Sequence, residues 1–250
     1  RLTELLPELL DLVDERKFAF NSAVEVSYLE EADAARLLAA LHDVPPQYSA
    51  MVQLGLFTGM RRGEICGLRW SDIDFNASTI SVNRTVEYIP HEGLIFTAPK
   101  TKASNRTFKV GANCMDMLRE YQLYQKAERL RVGSMWARTV QVENGKTVQN
   151  DLLFTSWDGT PFDLERLTTW FPHFLRAHDL PAVHFHSLRH TYASLMIAAH
   201  VPITTVSGRL GHAQTSTTTD IYAGFIRTAD AAASDAMEIV FDNIREKSRA

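Results

Sequence analysis

The feature that most constrains this chain is a single change of hydrophobic period. From residue 27 onward apolar residues recur at helical spacing, except across residues 72–110, where they alternate in twos. Spacings of three and four bury one face of a helix, whereas alternation buries one face of a strand. The first helical run opens at Ser27-Tyr28-Leu29-Glu30, a capping-box pattern, and carries Leu37, Leu38 and Leu41. Pro45-Pro46 stops it. A second helix is expected from Tyr48 to Phe57, closed by Thr58-Gly59, because glycine suits a helix C-terminus. A short third helix should carry Arg61 to Leu68. Within the alternating stretch, Thr79 to Val82, Leu94 to Phe96 and Arg106 to Val110 read as a three-stranded antiparallel meander, with loops at His91-Glu92-Gly93 and Lys100 to Asn105. Helical text returns over residues 112–131, residues 139–150 read as a loop or hairpin, and everything after Asp163 is helical in short pieces. The pattern predicts an α+β fold, mostly helical, with one small three-stranded antiparallel sheet near the front. The first 20 residues read as an amphipathic helix broken at Pro7.

A chain of 250 residues can bury a sizeable core without disulfide or metal staples. Its 45% hydrophobic and 22% charged residues are those of a packed protein, which excludes wholesale disorder. No apolar run approaches the roughly 20 residues of a membrane span, and the N-terminus is too acidic for a signal or transit peptide. Cys66 and Cys114 cannot build a disulfide framework or a cysteine zinc cluster, so a reducing cytoplasm is the expected location. The net charge of −4 speaks weakly against nucleic acid as a partner. Residues 1–50 carry 10 acids and 4 bases, residues 51–225 carry 15 acids and 18 bases, and residues 226–250 carry 5 acids and 4 bases. A positive middle between acidic ends softens that objection.

Four patterns could carry chemistry. In His186-Ser187-Leu188-Arg189-His190, near a helix start, an imidazole and a guanidinium three residues apart share one face. A polar helix face is the plain alternative. His186 and His190 also have the spacing of half a zinc site, but a zinc peptidase would need glutamate where Ser187 stands. In Thr58-Gly59-Met60-Arg61-Arg62-Gly63-Glu64, Arg61 follows a helix break and can offer its planar fork to a phosphate, while Glu64 is spaced to pair with it. A surface ion pair is the alternative there. The basic loop Pro99 to Arg106 can reach over a substrate and donate a proton from an ammonium, or be a solvated turn. Finally, Leu210-Gly211-His212 precedes Asp220-Ile221-Tyr222-Ala223-Gly224, where Tyr222 alone would read as a core residue.

Each pattern has an ordinary structural explanation, but their order does not. Thr-Gly-x-Arg-x-x-Glu, a lysine-bearing strand loop, His-x-Leu-Arg-His, Leu-Gly-His and a tyrosine ten residues later together resemble the tyrosine recombinase (phage integrase) family over residues 27–226. The stretches PKTKASNRTF, HTYASLMI and LGHAQTSTTTDIYAG are similar to integrases of phages and conjugative elements in particular. The resemblance implies DNA strand cleavage and rejoining without metal, ATP or other cofactor. It implies that Arg61 and Arg189 clamp the scissile phosphate, where negative charge develops, and that Tyr222 is the nucleophile of a 3′-phosphotyrosyl intermediate. A phenol of pKa ~10 needs help to lose its proton, and His186 is the general base in this reading. His212 would hydrogen-bond a phosphate oxygen, and Lys100 would protonate the 5′-hydroxyl leaving group. Lys102 is the rival for that role and otherwise contacts backbone phosphate, as Arg106 would.

Three departures stand out: Ser187 for the usual aspartate, His200 for a helix-ending glycine, and Gly208 inside a helix. The expected partners are a double-stranded recombination site, further copies in a tetramer, and accessory DNA-bending or directionality factors, with no membrane and a prokaryotic nucleoid setting. The tetramer would form through a C-terminal helical tail, residues 227–250, whose Met237, Val240, Phe241 and Ile244 share a face. Residues 1–26 would be a helical arm or the remnant of a core-binding domain and its linker. Relatives normally carry such a domain, so the expectation is a fragment of a longer protein or an atypical N-terminus, with weak DNA affinity and few phosphate contacts. The alternatives are chromosome-dimer resolution, a non-catalytic DNA-binding homologue, a monomeric type IB topoisomerase, and a metal hydrolase built on His186 and His190.

Overall fold

The computed structural model describes residues 28–89, 91–98, 102–141 and 145–223. The N-terminal arm, the C-terminal tail and Lys100 lie outside the described residues. Helix α1 spans Glu31–Ala40, α2 Pro46–Thr58 and α3 Arg62–Cys66. The chain enters α1 with Glu30 at the cap position and Leu29 already buried, so the helix begins three residues later than the capping-box reading of Ser27 expects. Pro45 and Pro46 do two jobs: they end the preceding segment, and Pro46 opens α2, where its missing N–H is no loss.

The strands are β1 Ile73–Asp74, β2 Thr79–Val82, β3 Thr85–Ile89, β4 Gly93–Thr97 and β5 Arg106–Lys109. A three-stranded antiparallel sheet is present, in the order β1-β2-β5. Its membership differs from the expected meander: Leu94 to Phe96 belongs instead to a separate hairpin in which β3 pairs with β4. Alternation identifies a strand and its buried face, but names no partner. In the β2–β5 pair Ile80 faces Phe108 on the core side, while Ser81 and Thr107 hydrogen-bond on the outer side.

Helix α4, Ala112–Val132, follows the sheet. Residues 139–150 form a hairpin of β6 Thr139–Gln141 and β7 Thr147–Gln149. Four helices follow: α5 Leu164–Ala177, α6 Ser187–Ala198, α7 Ile203–Leu210 and α8 Thr215–Ile221. Among the described residues no helix is long and apolar enough to cross a membrane.

The centre of the fold is the packing of α2 against α6. It is close because Gly55 leaves room: a Cβ there would stand 3.0 Å from Leu188 Cδ1. The main core runs from α1 through the sheet to α5 and ends at Leu188. A second, smaller cluster of Tyr192, Ala193, Ile197, Val206, Leu210 and Tyr222 joins α6, α7 and α8. The candidate residues sit where these two cores meet.

Candidate active site

Helix α6 supplies three of the site's side chains through its period. His186, Arg189 and His190 fall at i, i+3 and i+4 and share a face, while Leu188 is directed to α2. Arg189 is 1% exposed, and its Nη1 donates 2.9 Å to the carbonyl of Gly59. Gly59 adopts left-handed backbone at φ 63°, ending α2, and a Cβ there would lie 2.5 Å from Tyr192 Cδ1. The glycine thus meets two demands at once, a positive φ and a close approach. Two residues later Arg61 caps α3.

Glu64 ties this corner together. Its carboxylate accepts from the Arg61 backbone N–H at 2.9 Å, and Arg61 Nη1 lies 3.4 Å from it. It also takes a two-pronged bond from Arg106, Nη1 and Nη2 each at 2.9 Å. Burial alone would raise the Glu64 pKa. The charge and hydrogen bonds of Arg106, with the nearby charges of Arg61 and Arg189, overcome that and hold it at about 2. Two guanidiniums therefore bond one carboxylate and a third charge, that of Arg189, acts on it, leaving a buried excess of positive charge in this corner.

Arg106, expected to contact backbone phosphate, is largely enclosed by protein. Its side chain is 7% exposed, and besides Glu64 it reaches the Arg209 carbonyl through Nε at 2.7 Å and the Ser104 carbonyl at 3.1 Å. A guanidinium so engaged organises the protein interior. The reason is strand register: Arg106 lies two residues from Phe108 in β5 and faces Val82, so it points to the core side. Arg209, missed in the sequence, donates to the Tyr192 hydroxyl and to the Lys109 carbonyl and lies over the Phe108 ring. Together Arg106 and Arg209 join α7 to the sheet. Of the loop lysines, Lys102 begins a short turn, Lys102–Ser104, and Lys100 is outside the described residues.

His212 follows Gly211, which ends α7 in left-handed backbone at φ 73°. A Cβ on Gly211 would meet the Arg106 guanidinium at 2.8 Å, so the Leu-Gly-His turn packs directly on the Glu64 cluster. His212 Nδ1 hydrogen-bonds Thr218 Oγ1 at 2.7 Å, which fixes the ring. Tyr222 follows α8 and is 1% exposed; its hydroxyl meets His190 Nδ1 at 2.7 Å. His190 in turn packs edge-on against His186, ring centres 5.0 Å apart. Arg61 thus meets Glu64, His186 and Tyr222 meet His190, the residue after Arg189, and the turn before His212 packs on Arg106. Among the described residues no group of three or more His, Cys, Asp or Glu is placed to hold a metal ion. His200 does take a positive φ, 56°, in the place where glycine is usual.

The phage integrase family model matches residues 27–225. A tyrosine recombinase XerC-like protein of Caldanaerobacter subterraneus subsp. tengcongensis is 35% identical over 185 residues, 71% of this chain and 45% of that protein. The ICEBs1 integrase of Bacillus subtilis is 25% identical over 175 residues, 70% of this chain and 44% of that protein. The chain thus spans about half the length of these relatives. In fold it is similar to the Tn1549 transposon integrase, with a TM-score of 0.71 at 18% identity, covering 89% of this chain and 69% of the other. It is also similar to the XerA recombinase, with a TM-score of 0.61 at 21% identity, covering 88% and 66%. A family match across nearly the whole described chain, on a fold that gathers the motif residues at one corner, leads to one conclusion: the chain belongs to the phage integrase family.

Proposed function

We propose that this chain is the catalytic part of a site-specific DNA recombinase, which cleaves and rejoins strands through a 3′-phosphotyrosyl bond. The observation that carries the reading is the pairing of Arg61 and Arg106 with the single carboxylate of Glu64, with the charge of the buried Arg189 nearby. Fixed positive charge in a buried corner suits a phosphodiester passing through a state with more negative charge on its oxygens. Arg61 and Arg189 hold that phosphate, and His212, fixed by Thr218, bonds one of its oxygens. Tyr222 Oη forms a bond to phosphorus as the bond from phosphorus to the 5′ oxygen breaks, and Lys100 protonates that oxygen. The Tn1549 integrase structure was obtained with transposon right end DNA, which supports duplex DNA as the partner. The ICEBs1 integrase supports mobile-element integration and excision as the purpose. Chromosome-dimer resolution is a second reading, favoured by the XerC-like relative.

Assembly is part of the proposal. The working form is a tetramer on DNA joined through residues 227–250, aided by accessory DNA-bending or directionality factors, on the nucleoid of a prokaryotic cytoplasm. Deleting residues 227–250 should raise the concentration needed for assembly on DNA; unchanged assembly and activity on dilution would remove the tail from the scheme.

The deciding experiment is covalent trapping on a pool of nicked suicide duplexes with randomised core sequence, in EDTA. A DNA-shifted band on a denaturing gel that disappears in Tyr222→Phe is the expected result. A band that persists in that variant, or none from the wild type on any member of the pool, overturns the reading. A protein that merely holds DNA would bind equally well with or without the Tyr222→Phe substitution and never form the band.

A further inference from the structure

The proton of Tyr222 has to leave as the phenol attacks, and two imidazoles on α6 could take it. The hydrogen bond to the phenol oxygen runs to His190 Nδ1, at 2.7 Å. From this geometry we infer that His190 is the proton acceptor for Tyr222, an assignment that rests on Tyr222 being the nucleophile. His186, the base expected from the sequence, then stands beside the acceptor, packed on its ring at 5.0 Å.

The surroundings favour a direct transfer. Tyr222 lies in the apolar cluster of Tyr192, Ala193, Ile197, Val206 and Leu210. A phenolate formed there would lack the hydration that stabilises it in water, so the proton passes as the new bond forms. The acceptor is well anchored. Its carbonyl takes a hydrogen bond from Ser194 Oγ at 2.8 Å, and its neighbour Arg189 is tied to Gly59. Base and phosphate-holding guanidinium are thus consecutive residues of one helix, and both are set by the packing of α6 on α2.

Tyr222 and His186 face the His190 ring. Among the described residues, the helices packed against α6 carry two charged side chains: Arg209 on α7, engaged with Tyr192, Lys109 and the Phe108 ring, and Asp220 on α8, two residues before Tyr222. Tyr48 on α2 is the other titratable group and stacks on Trp170. To accept, the imidazole must be neutral with its proton on Nε2. In cleavage the Tyr222 O–H bond breaks and an Nδ1–H bond forms, while Oη–P forms and P–O5′ breaks, the 5′ oxygen taking its proton from a separate donor. In rejoining the 5′-hydroxyl attacks phosphorus and gives its proton back to that donor, O5′–P forms as Oη–P breaks, and the imidazolium returns its proton to the departing Tyr222 oxygen.

Two measurements test this. In the free protein, nitrogen NMR of His190 should show Nδ1 unprotonated near pH 7.5, and Tyr222→Phe should move the His190 titration midpoint by about half a unit or more. A proton on Nδ1, or an unmoved midpoint, overturns the assignment whatever DNA is available. The second is single-turnover adduct formation on the nicked duplex pool. His190→Gln can still bond the phenol but cannot take its proton, so it should slow cleavage by about 10²–10⁴-fold. It should also abolish the acid limb of the pH–rate profile, leaving a residual rate that climbs toward the phenol range. Wild-type rate and profile in His190→Gln, or loss of the acid limb in His186→Gln with its retention in His190→Gln, overturns the assignment and leaves Tyr222 as nucleophile. An adduct persisting in Tyr222→Phe sinks the parent reading instead.

Discussion

Glu64 is the residue on which most of the site's order depends, and its chemistry can be tested without DNA. Its pKa is lowered from 4.5 to about 2, so its stabilisation is complete above about pH 4.5 and is lost as pH falls from there toward 2. Glu64→Gln should remove that acid-dependent component and lower stability at pH 7 by about 3–5 kcal/mol, because three guanidiniums lose their counter-charge. Urea melts between pH 7 and 3 read both effects; a variant as acid-sensitive as the wild type would exclude Glu64 as the source. Arg106→Ala should resemble it in stability. It should also leave the salt dependence of non-specific DNA binding unchanged, whereas the loss of one phosphate contact would reduce the slope by about 0.9. A reduced slope would return Arg106 to the DNA surface.

At the scale of elements, the turn between α2 and α3 determines whether Arg61 and Arg189 meet. Gly59→Ala would combine a positive φ with a Cβ driven into Tyr192. We expect it to lower stability by more than the ~1 kcal/mol of an ordinary glycine substitution, and to weaken adduct formation even where the protein stays folded. A melting curve and a trapping assay on the same sample check this; normal values in both would show that the turn relaxes freely. Much of this architecture was legible beforehand. Helical period located α2, α4 and the four helices from α5 to α8, and the i, i+3 relation placed His186 and Arg189 on one face. What stayed hidden depended on pairing across distance. Thr85 to Ile89 was not read as a strand: Val86 and Tyr88 alternate there, but only Val86 is buried and Tyr88 is exposed, so the alternation marks no buried face. The role of Arg106 was implicit in its period-two relation to Phe108 but is masked by a basic loop. His190 suggested half a metal site at i+4 from His186; its phenol partner lies 32 residues on, a separation no local pattern reports.

For the molecule as a whole, the proposed function places both halves of the chemistry in one chain. Arg61 pairs with Glu64, the charge of Arg189 acts on the same carboxylate, and His190, next to Arg189 on α6, reaches the Tyr222 that follows α8 of the same chain. With Tyr222 as the proposed nucleophile and Arg61 and Arg189 as the proposed phosphate-holding pair, its bond to His190, the residue after Arg189, keeps it with its own subunit, and each subunit should cleave the strand it binds. An assembly that exchanged tyrosines between neighbours would have to take Tyr222 out of the cluster with Val206 and Leu210 and break its bond to His190. Mixing Arg189→Ala with Tyr222→Phe distinguishes the two arrangements. Each variant alone should give no adduct on the nicked duplex pool, and a mixture should give none either, because no subunit then carries both groups. If tyrosines were exchanged, the Tyr222 of the Arg189→Ala subunit would serve a phosphate held by the intact arginines of the Tyr222→Phe subunit. An adduct would then reappear, carried solely by the Arg189→Ala polypeptide, and a size tag on one variant identifies which chain is joined to DNA.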